Sequence, residues 1–278
     1  MFHFVLLAMA LNYHTVGNAE VITSPFSDKH CPGFFYKDTE PKNLMPQSFA
    51  RICQRFNNKY RFATMYDRQN HIPVYSAYVY QAGNSNRIGW LIEPQLVGNS
   101  YNKEMEDEVL TTIDRNLLRA SQALDDDYKD TKYDRGHINP SLHHNDPDDS
   151  MSTFTLTNIV PQNATLNQGA WRHYEEDTIK HQAADCTRTY AIVGAIPGNN
   201  YISKGRVNVP AYIWAAACCT LQNGGMKAWA VIADNSGINR VDPITLADLE
   251  KKLSTHPTRP VHLFHTDCPK NTLIKFST

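Results

Sequence analysis

Five segments of the 278-residue chain carry the residue pattern of β-strands, and they limit the fold more than any other feature. They are rich in Val, Ile, Tyr and Trp, which favour strands because branched and aromatic side chains pack well on a pleated surface. Clusters of Asn, Gly and Asp between them are typical of turns. The segments cover residues 60–66, 72–80, 188–196, 208–221 and 226–233. The sequence therefore predicts a sheet in which 60–66 and 72–80 pair through a turn at 67–70.

Other segments predict helices or a shorter strand. Pro46 suits the first turn of a helix, and Thr245 with Asp248 three positions later resembles a capping box. Apolar and polar residues alternate over 152–160, which predicts a strand that Pro161 ends. The predicted helices cover residues 46–56, 104–123, 169–184 and 245–253.

The first nineteen residues have the features of a cleavable secretion signal. Residues 2–11 form a short apolar run, and the small residues at 17–19 precede Glu20 as the first mature residue. No basic segment precedes the run, so a buried N-terminal strand or helix stays an alternative. We expect a signal peptide at 1–19, a secreted, extracellular protein, and one domain at 20–278 that no repeat or linker divides. No apolar run approaches the length of a membrane span, so no membrane partner is expected.

Six cysteines follow that segment, at positions 31, 53, 186, 218, 219 and 268. An even number in a secreted chain predicts up to three disulfides, and the sequence does not rank the alternative pairings. Cys218 and Cys219 are adjacent, so on a strand their side chains diverge and we expect them to pair with different partners. The chain has no Cys-x-x-Cys pair, and a structural zinc site is therefore not expected.

The formal net charge of −1 does not indicate a binder of polyanions, so such binding needs a local basic face. The richest basic segment contains five Lys or Arg residues and one acid, Asp67. We interpret it as a candidate polyanion-facing patch, with a solvated helix face as the equal alternative. Its basic residues are Arg51, Arg55, Lys59, Arg61 and Arg68.

The strongest chemical signal lies between residues 133 and 175. Hydrolysis of a phosphodiester needs a base for water, a cation and donors that hold the phosphate oxygens. His137 suits the base because an imidazole titrates near neutral pH. Arg135 has the planar fork that binds phosphate oxygens in a bidentate manner, and Gly136 between them would allow a tight backbone turn.

Two asparagines and a glutamate complete the candidate site. Asn167 offers an amide oxygen, which Mg²⁺ accepts as one ligand when waters and a phosphate supply the others, and Mn²⁺ is an alternative ion. Glu175 lies eight residues after Asn167, a little over two helical turns, so both can face one side and Glu175 can accept hydrogen bonds from the waters of the ion. Asn158 is placed to orient the histidine or the water.

The sequence Asp134-Arg135-Gly136-His137, with the blocks at 157–162 and 166–171, resembles the DNA/RNA non-specific endonucleases. The resemblance is strongest over 133–176 and implies an α+β fold, a ββα-metal nuclease with a central, mainly antiparallel sheet flanked by helices. It also implies the roles of general base for His137, magnesium ligand for Asn167, phosphate contact for Arg135, and supporting residues for Asn158 and Glu175.

Several further residues are candidates with weaker support. Some members of this family use an additional arginine on an earlier strand, for which Arg61 and Arg68 are candidates here. Asn163 begins an Asn-Ala-Thr glycosylation sequon, four residues before Asn167. The remaining histidines in this half of the chain share no metal-ligand spacing, so surface or supporting roles are expected for His143, His144, His173 and His181.

The favoured hypothesis is a secreted, magnesium-dependent endonuclease that cleaves DNA, with RNA as a further candidate substrate, and has little sequence preference. The first alternative is a catalytically inactive extracellular binding protein on a nuclease scaffold, which the near-zero charge and the acidic segment at 125–149 favour. A second alternative is a metal-dependent phosphodiesterase for small nucleotides. No obligate protein partner is evident from the sequence.

Overall fold

The computed structural model describes residues 21–27, 29–255 and 258–275, so the signal peptide predicted at 1–19 lies outside the described residues. The described strands are β1 (Val21–Ile22), β2 (Phe49–Phe56), β3 (Lys59–Asp67), β4 (Ile72–Tyr80), β5 (Leu91–Ile92), β6 (Glu106–Asp107), β7 (Tyr133–His137), β8 (Ile159–Asn163), β9 (Cys186–Ile196), β10 (Asn200–Ile202), β11 (Val207–Val209), β12 (Tyr212–Leu221), β13 (Met226–Asp234) and β14 (Asp242–Ile244).

The helices of the described residues are short. Among them, none is long and apolar enough to cross a bilayer. The α-helices are α1 (Arg115–Ser121), α2 (Pro147–Ser152), α3 (Ala164–Asn167), α4 (Ala170–His173), α5 (Ile179–Ala183) and α6 (Leu246–Leu253). A π-helical turn, Tyr174–Thr178, joins α4 to α5. Single 3₁₀ turns lie at Tyr36–Asp38, Pro94–Leu96, Asp125–Tyr128, Ser141–His143 and Leu156–Asn158.

One large sheet forms the centre of the fold. Its order is β1-β2-β3-β4-β9-β12-β13-β14, and all neighbouring strands are antiparallel. Along β12, Ile213 and Ala215 face one core, while Trp214 and Ala216 face the other. A strand buried on both faces is apolar throughout, so the alternation that marks a half-exposed strand is absent here. The predicted α+β class with a mainly antiparallel sheet and flanking helices is confirmed.

The two faces of the sheet carry different layers. One core contains the ββα unit, through buried residues such as Ile159, Leu166 and Trp171. The other contains α6, through Leu246 and Leu249. Fully burying a side chain of this size stabilises a fold by about 1.5–3 kcal/mol, so both layers are firmly attached to the sheet. The candidate site therefore lies on one face of a rigid support.

Most strand predictions and one helix prediction are confirmed. The segments at 60–66, 72–80, 188–196, 208–221 and 226–233 correspond to β3, β4, β9, β12 and β13 with small shifts of their ends. The helix predicted at 245–253 is α6, whose N-cap Thr245 accepts a hydrogen bond from the Asp248 amide at 3.0 Å. The helix predicted at 169–184 is present but contains the π turn.

The helix predicted at 46–56 is wrong, because Phe49–Phe56 is a strand of the main sheet. A short apolar run fits both helical and extended spacing, and pairing with the next strand decided the outcome. The helix predicted at 104–123 is largely wrong, because only Arg115–Ser121 is helical. That helix begins where the Asp114 side chain accepts hydrogen bonds from two backbone amides.

The strand predicted at 152–160 is also wrong. The chain ends a helix at Ser152, makes a 3₁₀ turn at Leu156–Asn158, and becomes extended only at Ile159–Asn163. Pro161 lies inside this strand instead of ending it. A proline is tolerated there because β8 belongs to a two-stranded sheet, so one of its edges pairs with no other described strand.

The predicted polyanion-facing patch at 51–68 is wrong as well. The Arg51 guanidinium is 3.2 Å from the Glu40 carboxylate and largely buried. Arg61 is 5% exposed and forms ion pairs with Asp149 at 2.7 Å and Asp148 at 2.9 Å. These arginines satisfy acids within the protein, and their charges are not available as one basic surface.

The six cysteines form three disulfides: Cys31–Cys53, Cys186–Cys219 and Cys218–Cys268. The prediction that the adjacent cysteines have different partners is confirmed, because Cys218 and Cys219 point to opposite faces of β12. The Cys218–Cys268 bond attaches the C-terminal segment to a central strand, across 50 residues of sequence.

Candidate active site

The residues with the strongest chemical signal fall on one strand-strand-helix unit. β7 and β8 pair antiparallel, with His137 opposite Ile159 and Asp134 opposite Gln162. α3 begins at the residue after β8, so the helix that bears Asn167 follows this strand pair without a loop. Buried residues of β8 and α3 attach the unit to the main sheet.

Gly136 has a role that differs from the predicted one. It lies within β7, and its φ is not in the left-handed region, so no tight turn occurs there. A Cβ atom at this position would lie 2.1 Å from Gln162 Oε1 and 2.6 Å from Gln162 Cβ. The glycine is therefore required by the close approach of Gln162 across the strand pair.

His137 is held by aromatic rings instead of hydrogen bonds. Its ring centroid is 4.9 Å from that of Phe154, in an edge-to-face arrangement, and 6.0 Å from that of Trp90. Its Nε2 atom is buried and has no hydrogen-bond partner. Burial, together with a smaller contribution from the positive charge of Arg87, lowers the pKa of His137 to about 4. The imidazole is therefore neutral at pH 7 and has a lone pair available for a proton.

Arg87 was missed by the sequence analysis. It is exposed in the loop after β4, and its guanidinium is close enough to His137 to depress the pKa of that imidazole. Neither earlier candidate takes this position, because Arg61 is paired with acids and Arg68 donates to the Leu96 carbonyl at 2.5 Å. In the sequence, Arg87 is a single arginine three residues before Trp90 in a polar loop. That signal is too weak to identify a phosphate-binding residue by itself.

Arg135 has its guanidinium in an ion pair. Its Nη2 atom lies 2.7 Å from Asp125 Oδ1 and donates to the Asp125 carbonyl at 2.9 Å. The guanidinium also lies 5.8 Å from the Trp90 ring and 5.4 Å from the Tyr128 ring. Its Nε atom is buried without a partner. Part of the acidic segment thus serves to hold this arginine.

Asn167 is tied to the same strand that carries His137. Its Nδ2 atom donates to Asp134 Oδ2 at 2.9 Å, and Gln168 Nε2 donates to the same oxygen at 2.9 Å. This hydrogen bond fixes the amide so that Oδ1 is the atom left for a ligand. Asp134 and His137 are three residues apart on β7, about 10 Å of extended chain. The predicted metal ligand and the predicted base are thereby anchored to one strand.

The candidate site offers a hard cation such as Mg²⁺ one protein ligand, the amide oxygen of Asn167. Within residues 21–27, 29–255 and 258–275, no group of three or more His, Cys, Asp or Glu side chains could hold a metal ion. Asn167 is partly exposed, and its amide oxygen is a suitable single ligand for Mg²⁺, which retains most of its waters and takes other oxygens from a phosphate.

Glu175 lies in the π-helical turn, where the Ile179 amide donates to the Tyr174 carbonyl five residues before it. Its Oε1 atom accepts a hydrogen bond from Trp171 Nε1 at 2.8 Å. Burial raises the pKa of Glu175 to about 8, and the Trp171 hydrogen bond opposes this shift. A nearby divalent cation would favour the carboxylate form.

Asn158 is fully buried, and the protein satisfies both ends of its amide. Its Oδ1 atom accepts from Ser76 Oγ and from the Asn139 amide, each at 2.9 Å. Its Nδ2 atom donates to the carbonyls of Asn139 at 2.9 Å and Thr153 at 3.0 Å. The structure therefore places Asn158 under the segment that follows His137, where it holds the backbone instead of facing a substrate.

The remaining candidates divide between buried and exposed positions. Asn163 is partly buried and accepts a hydrogen bond from the Thr165 amide at 3.0 Å as the N-cap of α3, so its glycosylation stays a prediction. His143 and His144 are buried and hydrogen-bonded, which gives them supporting positions. His173 and His181 are exposed.

Comparisons with known proteins show the family of this chain. The family described as DNA/RNA non-specific endonuclease matches residues 40–258, and the chain belongs to that family. The endonuclease domain-containing 1 proteins of Mus musculus and Homo sapiens are 36% and 33% identical to it, each over 86% of this chain. The match covers 47% of each relative, so the chain spans about half their length.

More distant relatives match part of the chain. Mitochondrial endonuclease G of Bos taurus is 30% identical over 140 residues, which is 44% of this chain and 45% of that protein. A chain in the crystal structure of an EndoG/EndoGI complex superposes with a TM-score of 0.51 over 69% of this chain and 80% of its own. At 18% identity this second likeness concerns the fold, the ββα-metal nuclease architecture.

Gly136→Ala should destabilise the ββα unit. The added methyl group would meet the Gln162 side chain at 2.1 Å, and overpacking of this kind costs about 1–3 kcal/mol. Denaturant titration should show a lower midpoint for Gly136→Ala. The control Gly98→Ala places its Cβ 3.6 Å from Tyr101, an ordinary contact, and should leave the midpoint unchanged. Equal midpoints for the two variants would contradict the close approach.

Stability should fall on mild acidification because three histidines are buried neutral. Burial lowers the pKa of His137 and His143 to about 4 and of His144 to about 3, from an ordinary value of 6.5. Between pH 6.5 and the lowered pKa values, the unfolded chain binds more protons than the folded chain. The contribution of these histidines to the free energy of unfolding is therefore fully present above pH 6.5 and is lost as the pH falls below it. In His137→Gln, the proton uptake on unfolding near pH 5 should decrease by about one. Denaturant titrations at several pH values measure it, and parallel pH profiles would contradict the burial of His137.

Proposed function

We propose that the chain is a secreted, divalent-metal-dependent endonuclease that hydrolyses phosphodiester bonds of DNA, with RNA as a second substrate. One observation carries the proposal: a neutral imidazole with an unpartnered Nε2 atom lies on β7 close to an exposed arginine. Membership of the DNA/RNA non-specific endonuclease family supports it.

In the proposed reaction, His137 is the general base. Its Nε2 atom accepts a proton from the water that attacks phosphorus. Because the pKa of His137 is lowered to about 4, the base form is present across the neutral range. Trp90 and Phe154 fix the ring orientation without using either nitrogen. They also keep bulk water away from the base, which strengthens its interactions with charged groups.

The two arginines hold the phosphate. Arg87 is exposed near His137 and is free to approach a non-bridging oxygen. Arg135 has one edge on Asp125, and this pair fixes the guanidinium plane before substrate arrives. A preorganised donor stabilises developing charge without reorganising at the moment of reaction.

Asn167 would hold the cation through Oδ1, since its Nδ2 atom is engaged by Asp134. A bound Mg²⁺ or Mn²⁺ supplies Lewis-acid stabilisation of the phosphate and the leaving oxygen. Glu175, whose carboxylate form a bound cation would favour, would accept hydrogen bonds from the waters of that cation. Asn158 acts as a positioning residue, through its hydrogen bonds to the backbone that follows His137.

Weak sequence preference follows from the chemistry of these groups. Arginine forks and a cation contact the backbone of a nucleic acid, which is the same for every base sequence. Secretion is supported by the three disulfides, which persist in oxidising compartments.

A binding protein without catalysis is the second candidate. Two observations favour it: the pKa of Glu175 is raised to about 8, and Arg135 is neutralised by Asp125. Nicking of supercoiled plasmid with Mg²⁺, compared with the same reaction in chelator, distinguishes the two functions.

His137→Ala should reduce plasmid cleavage by at least about 10²-fold, since general base catalysis contributes 10²–10⁴-fold. Binding of duplex DNA, measured by fluorescence anisotropy in chelator, should change little because His137 does not bind phosphate. The matched control is His181→Ala, an exposed histidine outside the site. A His137→Ala variant that cleaves at the wild-type rate would refute the base assignment.

Arg87→Ala should lower kcat/KM for DNA by about tenfold or more, because it removes a charged donor from the phosphate. It should also raise the pKa of His137, which a histidine NMR titration detects, since a neighbouring positive charge is lost. The comparison variant is Arg68→Ala, whose guanidinium contacts the Leu96 carbonyl. A larger loss of kcat/KM in folded Arg68→Ala than in Arg87→Ala would reverse the assignment.

A further inference from the structure

His143 connects the main sheet to the helix that bears Glu175. Its Nδ1 atom is 2.8 Å from the Tyr78 hydroxyl, and its Nε2 atom is 2.9 Å from the Glu175 carbonyl oxygen. His143 is 1% exposed, and Tyr78 is fully buried on β4. One imidazole therefore joins Tyr78, which lies 65 positions before His143, to Glu175, which lies 32 positions after it.

The chemistry of the partners fixes the direction of this chain of hydrogen bonds. A carbonyl oxygen only accepts, so His143 Nε2 carries the proton and donates to Glu175. Burial keeps the ring neutral by lowering the pKa of His143 to about 4. Its Nδ1 atom is then a lone pair, and the Tyr78 hydroxyl donates to it. One tautomer satisfies all three groups.

The turn that carries His143 is itself fixed. The His143 carbonyl accepts from the Gln81 amide at 2.9 Å, just beyond the end of β4. The next residue, His144, contacts Asn139 Oδ1 through Nε2 at 2.7 Å. Asn139 lies two residues after His137 and is also held by Asn158. The same short turn therefore contacts both the segment that follows the base and the helix of Glu175.

The hydrogen bond from His143 to the Glu175 carbonyl lies at the irregular part of the helix that bears Glu175. Glu175 lies in the π turn, Tyr174–Thr178, where the regular i to i−4 bonding is displaced. π turns inside α-helices often occur at functional sites. An external donor at the Glu175 carbonyl fixes the backbone from which its carboxyl group projects.

We propose that His143 is a positioning residue for the reaction: its Nε2–H holds the Glu175 backbone at a fixed place relative to His137. This inference rests on the proposed nuclease function. It predicts that the donor at Nε2 is required for turnover, beyond the space that the ring fills.

The test compares two substitutions of the same residue. His143→Phe keeps a planar ring and removes the donor, whereas His143→Gln keeps an amide donor of similar reach. With plasmid and Mg²⁺, His143→Phe should lower kcat about 10- to 100-fold with KM within about threefold, as is typical when a partner of a metal-site residue is lost. His143→Gln should recover kcat to within about fivefold of wild type. The control His181→Phe replaces an exposed histidine and should leave both constants unchanged.

Each other outcome has a defined meaning. Folded His143→Phe with wild-type kcat, or a loss confined to KM, would overturn the positioning role. The same holds if folded His143→Gln turns over no faster than His143→Phe. If His143→Phe does not fold, Tyr78→Phe decides: a several-fold lower kcat supports the hydrogen-bond chain, and a wild-type kcat overturns it.

A wild-type chain that cleaves no nucleic acid would overturn the proposed function together with this inference, whereas the preceding outcomes leave that function intact.

Discussion

The buried amide of Asn158 is the interaction on which the geometry of the candidate site depends. It joins Ser76 on the main sheet to Asn139 in the segment after His137 and to the Thr153 carbonyl. Each partner is buried, and a buried polar group without its hydrogen bond costs about 1–3 kcal/mol. Moving β7 and the segment after it relative to the main sheet would break several of these bonds at once, so the bonds hold the strand with the base in one position.

The rest of the site uses the same strategy of fixing groups with neighbours that do not react. Aromatic rings hold His137, an aspartate holds Arg135, and another aspartate holds the amide of Asn167. These contacts leave functional atoms available, such as Nε2 of His137 and Oδ1 of Asn167. This arrangement is preorganisation, because side-chain entropy is lost on folding and not at each turnover.

Several aspartates of the acidic segment at 125–149, which favoured the catalytically inactive alternative, form ion pairs within the protein. Asp148 and Asp149 neutralise Arg61, and Asp127 is paired with Arg206 at 3.0 Å. The charges that looked unfavourable in sequence are therefore compensated by arginines distant in the chain. Net charge could not reveal this, since it counts charges without their pairing.

The sequence alone determined the features that depend on local chemistry and period. Strand composition located β3, β4, β9, β12 and β13, the capping residues located α6, and adjacency required Cys218 and Cys219 to have different partners. The motif around His137 identified the family, because its residue types in that order have little structural reason to occur together. Only the tertiary structure decided that residues 49–56 are a strand, that Gly136 makes room for Gln162, and that Arg87 is the arginine near the base. The physical reason is range: a turn or a cap is satisfied within a few residues, whereas the contact of Ser76 with Asn158 spans 82 residues and exists only once the sheet has formed.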